Sequence, residues 1–130
     1  MSNKRILIIG IAPRAYIHNR MLEIAKGKRR QGTDDPRVWF TSAEALARVF
    51  SSKNMLLLEI IRHSDPASVT ELAEKVGRSK TNVLRSLKTL NEFEIINFEP
   101  GAGGRKAPRL NYDDFRVEGH LGGYPSDKAA

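Results

Sequence analysis

The feature that most constrains this chain is the segment Ser68–Leu87, in which small and aliphatic residues recur at the spacing of two closely crossed helices. Ala73 allows a close approach of the helices, and Val83 can pack back on the first of them. Gly77 suits the turn because glycine adopts a positive φ without steric cost. The segment therefore predicts a helix-turn-helix.

Both predicted helices have start signals. The first can begin at Ser68, which forms a capping box with Glu71, or at Thr70. Ser79 caps the second helix, which has one apolar stripe and one polar face. The stripe that we predict to be buried is Val83, Leu84, Leu87 and Leu90. The polar face that we predict to point outward is Lys80, Thr81, Asn82, Arg85, Ser86 and Thr89.

The pattern changes from helical to extended after Phe93. The apolar segments 95–98 and 108–112 flank the glycine-rich stretch 100–104, so they predict a β-hairpin whose tip is basic. The segment 115–118 can add a further strand.

The chain before the helix pair predicts one strand and three helices. The β-prone segment 4–11 predicts a short buried strand. A helix over 13–26 has an apolar face made of Ile17, Met21, Ile24 and Ala25. After the apolar anchor 38–40, a helix capped by Thr41 or Ser42 is predicted through about Phe50. Another is predicted from Ser51 or Ser52 to just before Pro66. The residues predicted to point inward on the last helix are Met55, Leu56, Leu58, Ile60 and Ile61.

These elements predict a mainly α fold with a small β-hairpin wing, that is, a winged helix-turn-helix preceded by an N-terminal strand-helix extension. We expect 1–33 to be the extension and to mediate dimerisation, 34–118 to be the winged helix-turn-helix domain, and 119–130 to be a disordered tail. The short apolar run near the N-terminus cannot span a membrane, and we expect a cytoplasmic protein without a membrane partner.

Composition excludes several functions. The chain has no cysteine, and its three histidines lack the spacing of metal ligands, so we expect no metal site. Neither Gly10 nor the glycines of 101–104 have the spacing of a nucleotide-binding loop, so we expect no cofactor. No catalytic Ser-His-Asp set or carboxylate pair is recognisable, so we expect no catalytic residues and no enzyme.

The distribution of charge points to a polyanionic partner. The chain has 130 residues and a formal net charge of +7. No carboxylate occurs from Lys75 to Asn91 or from Pro100 to Tyr112, whereas both windows are rich in lysine and arginine. A helix-turn-helix with a basic hairpin therefore predicts binding to double-stranded DNA. The alternative for Asn82 and Arg85 is that they belong to a solvated helix surface without a binding role. For the basic segment 28–30, a solubilising linker is favoured over a second DNA contact.

Each predicted DNA-binding residue has an expected role. Asn82 can bind adenine and Arg85 can bind guanine in the major groove, while Thr70 and Arg78 are better placed for phosphates. Residues of the hairpin are expected on the adjacent backbone or minor groove. The full predicted set is Thr70, Arg78, Ser79, Lys80, Thr81, Asn82, Arg85, Ser86, Arg105, Lys106 and Arg109.

These motifs resemble the small winged helix-turn-helix regulators of prokaryotes, the MarR and ArsR-like group. Three further segments, 9–12, 22–27 and 35–42, resemble a narrower group of DNA-binding regulators often encoded beside small toxins. Ser86 stands where such proteins commonly have an aliphatic residue. The resemblance implies a sequence-specific repressor that acts as a homodimer. An antitoxin-type module that binds a partner toxin is the alternative, and an RNA-binding winged helix is a third hypothesis.

Overall fold

The computed structural model describes residues 4–124, except for the side chain of Ala102. Its helices are α1 (Arg14–Ala25), α2 (Ala43–Val49), α3 (Ser52–Ser64), α4 (Val69–Val76) and α5 (Lys80–Glu92). Its strands are β1 (Ile6–Ile11), β2 (Val38–Phe40), β3 (Ile96–Pro100), β4 (Lys106–Leu110) and β5 (Asp114–Glu118). None of the helices within 4–124 combines the length and apolarity needed to cross a membrane.

The predicted fold class is wrong, because the structure is mixed α/β rather than mainly α. It contains a three-stranded parallel sheet with the order β2-β1-β5 and a separate antiparallel pair, β3-β4. The strand predicted as part of an N-terminal extension, β1, is the central strand of the parallel sheet. The prediction failed because this sheet joins strands from opposite ends of the chain, with Leu7 in register with Phe115. Such pairing leaves no local sequence signal.

Contacts divide the chain into two compact units. One, the helical unit, contains Ala47–Asp113 and residues 4–5. The other, the sheet unit, contains Ile6–Leu46 and residues 114–124. The boundaries predicted after residues 33 and 118 remain predictions.

In the sheet unit, β1 and β2 are joined by α1, as a parallel pair requires. Gly10 of β1 is buried against the ring of Trp39 in β2, where an added Cβ would lie 2.3 Å from Trp39 Cζ3. The predicted apolar face of α1 is not what the helix buries. Met21 is exposed, and the buried residue of α1 is Arg20.

The chain after β5 contributes aromatic contacts to the sheet unit. The Tyr124 ring lies 4.2 Å from the ring of Tyr16 and 4.1 Å from the ring of His120, measured between centroids. Burial raises the pKa of the Tyr124 hydroxyl. This segment falls in the predicted disordered tail, of which 125–130 lies outside the described residues.

The helical unit places α3, α4 and α5 around one core, followed by the β3-β4 hairpin. Leu57, Leu72, Leu87 and Ile96 are fully buried there. The inward face predicted for α3 is correct at Ile61, which is buried, and wrong at Met55 and Leu56, which are exposed. Asn54 and Leu57, which were not predicted to point inward, are buried. The Asn54 amide donates a 2.9 Å hydrogen bond to the Val49 carbonyl, which fixes that rotation. The apolar run of α3 by itself defines no single inward face.

Candidate nucleic-acid interface

The first helix of the predicted pair begins at Ser68. The Ser68 hydroxyl accepts a 3.1 Å hydrogen bond from the Glu71 backbone N–H, and the Glu71 carboxylate accepts one of 2.6 Å from the Ala67 N–H. These bonds satisfy two donors at the start of α4 that have no partner within a helix. Thr70, the other predicted start, lies inside α4 and is exposed.

The turn between α4 and α5 depends on Gly77. Its φ of 72° is left-handed, and its N–H donates to the Ala73 carbonyl at 3.0 Å, which closes the end of α4. Arg78 N–H donates to the same carbonyl at 3.2 Å. The Ser79 hydroxyl then accepts from the Asn82 N–H at 3.2 Å and starts α5. Local hydrogen bonds thus define the end of α4, the turn and the start of α5.

The hairpin ends in a tight, glycine-rich tip. Gly101 N–H donates to the Arg105 carbonyl at 2.6 Å, and Gly103 and Gly104 have φ values of 67° and 77°. Those left-handed angles favour glycine over any residue with a Cβ. They leave Arg105 and Lys106 exposed where β4 begins.

A groove of about 670 Å³ runs between the start of α4, the start of α5 and the hairpin tip. It brings together four of the predicted residues: Thr70, Lys80, Arg105 and Lys106. These residues come from three separate elements, and three of them are cations. The groove can therefore hold an anionic chain between cations on opposite sides.

Three predicted residues lie on the exposed face of α5 outside the lining of the groove. Thr81, Asn82 and Arg85 are exposed, and their side chains form no hydrogen bond or ion pair with other described residues. Arg85 and Lys88 are spaced along a face without carboxylates. This face presents donors and acceptors outward and can contact bases or phosphates.

Arg78 and Ser86 do not face outward freely, because they bind each other. Arg78 Nη2 donates to the Ser86 hydroxyl at 3.1 Å and to the Asn82 carbonyl at 3.3 Å. Arg78 Nη1 is buried and has no hydrogen-bond acceptor among the described residues. Ser86 thus anchors the guanidinium of Arg78.

Arg109 serves the hairpin rather than the groove. Its Nη1 donates to the carbonyls of Pro66 and Pro108, each at 2.8 Å, and its Nε lies 3.6 Å from a Glu99 carboxylate oxygen. These contacts attach β4 to the loop that precedes α4. Ser79 likewise uses its hydroxyl as a helix cap.

Six residues that line the groove are absent from the predicted binding set: Ser68, Val69, Glu71, Glu74, Leu84 and Gly104. Glu74 follows Thr70 by one helical turn, so the exposed face of α4 could have indicated it. Leu84 was assigned to the buried stripe, but it is only half-buried and lines the groove. The groove therefore has two apolar lining residues, Val69 and Leu84, and two carboxylates, Glu71 and Glu74, beside its three cations. The Glu71 carboxylate already accepts a hydrogen bond from the Ala67 N–H.

Within the described residues, no group of three or more His, Asp or Glu side chains is arranged to hold a metal ion. The chemistry of the groove is that of ammonium, guanidinium, hydroxyl and carboxylate groups. Such a set recognises anions by charge and hydrogen bonding.

A comparison with curated proteins found no match. The model of one family, described as HVO_A0114, matches residues 49–117, a stretch that includes α3, α4, α5 and the hairpin. Because this match covers more than half of the chain, the chain belongs to the HVO_A0114 family.

Proposed function

We propose that the protein is a sequence-specific DNA-binding transcriptional regulator that acts as a repressor and a homodimer. The observation that carries the proposal is the groove in which Thr70, Lys80, Arg105 and Lys106 converge beside the acid-free face of α5. On this proposal the protein works in the cytoplasm, where it has access to the chromosome.

The dimensions and chemistry of α5 suit the major groove of DNA. An α-helix fits that groove, and the residues near the helix start reach the base edges. Asn82 and Arg85 are exposed on the first turns of α5 and carry the side chains that bind adenine and guanine bidentately. Lys80 and Thr81 precede them and can contact bases or phosphates.

The hairpin tip supplies contacts that do not depend on sequence. Arg105 and Lys106 are exposed, and the neighbouring glycines carry no side chains that would keep a phosphate backbone away. Cations at such a tip neutralise phosphates and displace counterions. We therefore assign base reading to α5 and affinity to the tip, whereas Arg78 and Arg109 are engaged within the protein.

The proposal is tested by binding to a DNA fragment that contains the promoter of the protein's own gene, measured across a range of salt. Affinity should fall steeply with salt, and the slope should fall by about 0.9 for each phosphate contact removed. Arg105→Ala should weaken all sequences alike. Arg85→Ala should cost about 1–3 kcal/mol at one base position and relax the choice of base there.

Lys80→Ala should reduce the salt slope, and Lys53→Ala is its matched control, because Lys53 is an exposed cation on α3 outside the groove. Both variants remove one positive charge, but the effect of Lys53→Ala on the salt slope should be much smaller. If the two variants weaken binding equally, the cations act only through net charge. Binding that does not change with salt would overturn the proposal.

A protein-interaction role is the second candidate, since Met21 and Leu22 lie exposed on α1. An antitoxin-type module would use such an apolar surface to bind a toxin, and would bind DNA for autoregulation or not at all. Co-expression with the neighbouring gene product separates the two roles. A stable complex in which neither free protein nor complex binds DNA would favour the interaction role.

A further inference from the structure

The outer strand β5 has one apolar and one charged face. Phe115 and Val117 are 43% and 41% exposed, and they are in register with the buried Leu7 and Ile9 of β1. Because side chains alternate along a strand, these apolar residues share one face of the sheet. The opposite face of β5 carries Asp114, Arg116 and Glu118.

An outer strand of a sheet is a template for another strand. In the sheet formed by the described residues, β5 lies at one end of the order β2-β1-β5. Proteins commonly protect such strands with proline, lysine or a covering segment. β5 contains neither proline nor lysine, and its charges have both signs. Its composition therefore favours pairing rather than repulsion.

The charge order of β5 is complementary to itself. When two copies of this strand pair antiparallel about Val117, Arg116 of each copy lies opposite Glu118 of the other. When they pair about Phe115, Arg116 of each copy lies opposite Asp114 of the other. Pairing about Arg116 instead opposes arginine to arginine, which is unfavourable. Both favourable registers place an identical apolar residue of each copy on the two-fold axis.

We propose that β5 is the dimer interface, where it pairs antiparallel with β5 of a second copy and extends the parallel sheet. This inference deepens the proposed function and rests on its homodimer. The partner is a second copy because each favourable charge pair is supplied by the strand itself and forms twice. β1, the strand of the predicted N-terminal dimerisation segment, lies between β2 and β5 and has no edge to offer.

The interface is tested by sedimentation of the full chain over a range of concentrations. The unaltered protein should be dimeric, and the double variant Phe115→Lys/Val117→Lys should be monomeric, because lysines on an outer strand oppose pairing. Leu121→Lys is the matched control: Leu121 is 104% exposed, lies in the same unit and belongs to no strand. It should stay dimeric. Circular dichroism checks that each variant is folded.

Charge reversal gives a test that spares the apolar residues. Arg116→Glu should raise the dissociation constant of the dimer about ten-fold, because two attractive cross-strand pairs become repulsive. Adding Glu118→Arg should restore the dimer if the strands pair about Val117, and adding Asp114→Arg should restore it if they pair about Phe115. Arg116 also lies 3.9 Å from Asp34, so Asp34→Asn serves as the control for losing that pair.

Each outcome decides the interface independently of DNA binding. A monomeric protein, a dimer unaffected by the charge reversal, or a charge reversal that neither second substitution rescues would overturn the β5 interface. A monomer that binds DNA with the expected salt dependence would overturn the interface and leave the DNA-binding proposal standing. Loss of dimerisation in the charge-reversal variant, restored by one of the two doubles, supports the interface even if neither form binds DNA.

Discussion

The groove of the helical unit and the interior of the sheet unit hold basic side chains in opposite environments. In the helical unit, Lys80, Arg105 and Lys106 are exposed around a groove. In the sheet unit, Arg20 is only 5% exposed, and its guanidinium carbon lies 5.4 Å from the centre of the Trp39 ring. A solvated cation is available to a polyanion, whereas a buried cation is committed to its own fold. The net charge of the chain therefore includes a buried cation, Arg20, that a polyanionic partner cannot contact.

The buried arginine is neutralised by Asp35. Arg20 Nη2 lies 3.1 Å from an Asp35 carboxylate oxygen, and Arg20 Nε has no acceptor among the described residues. Charge proximity and the Trp39 face therefore compensate the desolvation of the guanidinium. This arrangement makes the sheet unit sensitive to changes that an exposed cation would tolerate.

The largest expected effect is that of Gly10→Ala on the sheet unit. The new Cβ would lie 2.3 Å from Trp39 Cζ3, so the ring that supports Arg20 must move. Overpacking of this kind should lower the free energy of unfolding by about 3 kcal/mol in urea titrations. Gly119→Ala is the control, since the nearest atom to its Cβ is the Ile11 carbonyl oxygen at 3.9 Å. Equal losses in the two variants would contradict the packing of Gly10 on Trp39.

Asp35→Asn should have the second largest effect. It removes the counter-charge of a buried guanidinium, but the Asp35 side chain is 40% exposed, so we expect a loss of about 1–2 kcal/mol rather than the full cost of an uncompensated buried charge. Asp34→Asn breaks only the exposed pair with Arg116 and should cost less than about 0.5 kcal/mol. Urea unfolding of both variants measures the difference. Equal losses of stability in Asp35→Asn and Asp34→Asn would mean that the Arg20–Asp35 pair contributes no more than an exposed ion pair.

Within the helical unit, Arg78 differs from the groove cations, because its guanidinium is bound within the protein. Because it is bound to Ser86 and the Asn82 carbonyl, Arg78→Met should lower stability and leave the salt slope of DNA binding nearly unchanged. A double-mutant cycle with Ser86→Ala should give a coupling of about 1 kcal/mol in unfolding measurements. Lys80→Met, by contrast, should reduce the salt slope without loss of stability. A lowered salt slope in Arg78→Met would show that Arg78 binds phosphate after all.

The same contrast explains how much of the site could be predicted from the sequence. The caps at Ser68 and Ser79 and the left-handed Gly77 act between near neighbours, so the helix pair was predicted closely. The hairpin was also predicted, because the glycines of its tip are a local signal. The hydrogen-bond partners of Arg78 and Arg109 were not predicted. A basic segment of sequence does not indicate whether an arginine binds another residue of the protein or stays exposed.

The sheet unit could not be predicted in the same way. Strand β1 was identified, but its pairing with β2 and β5 depends on residues distant in sequence. Burial of Arg20 contradicts the helical pattern of α1, because the pattern counts arginine as polar and the compensating Trp39 and Asp35 lie on later segments. The periodicity therefore predicts an inward apolar face for α1 that includes Met21, which is exposed in the structure.

The smallest expected effect is a pH dependence confined to the sheet unit. The Gly32 N–H, which donates to the Asp35 carboxylate at 2.7 Å, and the nearby Arg20 charge lower the pKa of Asp35. A carboxyl with a lowered pKa in the folded state contributes stability above its unfolded pKa and loses it as pH falls through the folded pKa. Unfolding free energy should therefore decline as pH falls below about 4. The quantity to measure is the difference in unfolding free energy between the unaltered protein and Asp35→Asn. That difference should shrink with falling pH, and a constant difference would assign the effect of Asp35 to packing rather than to charge.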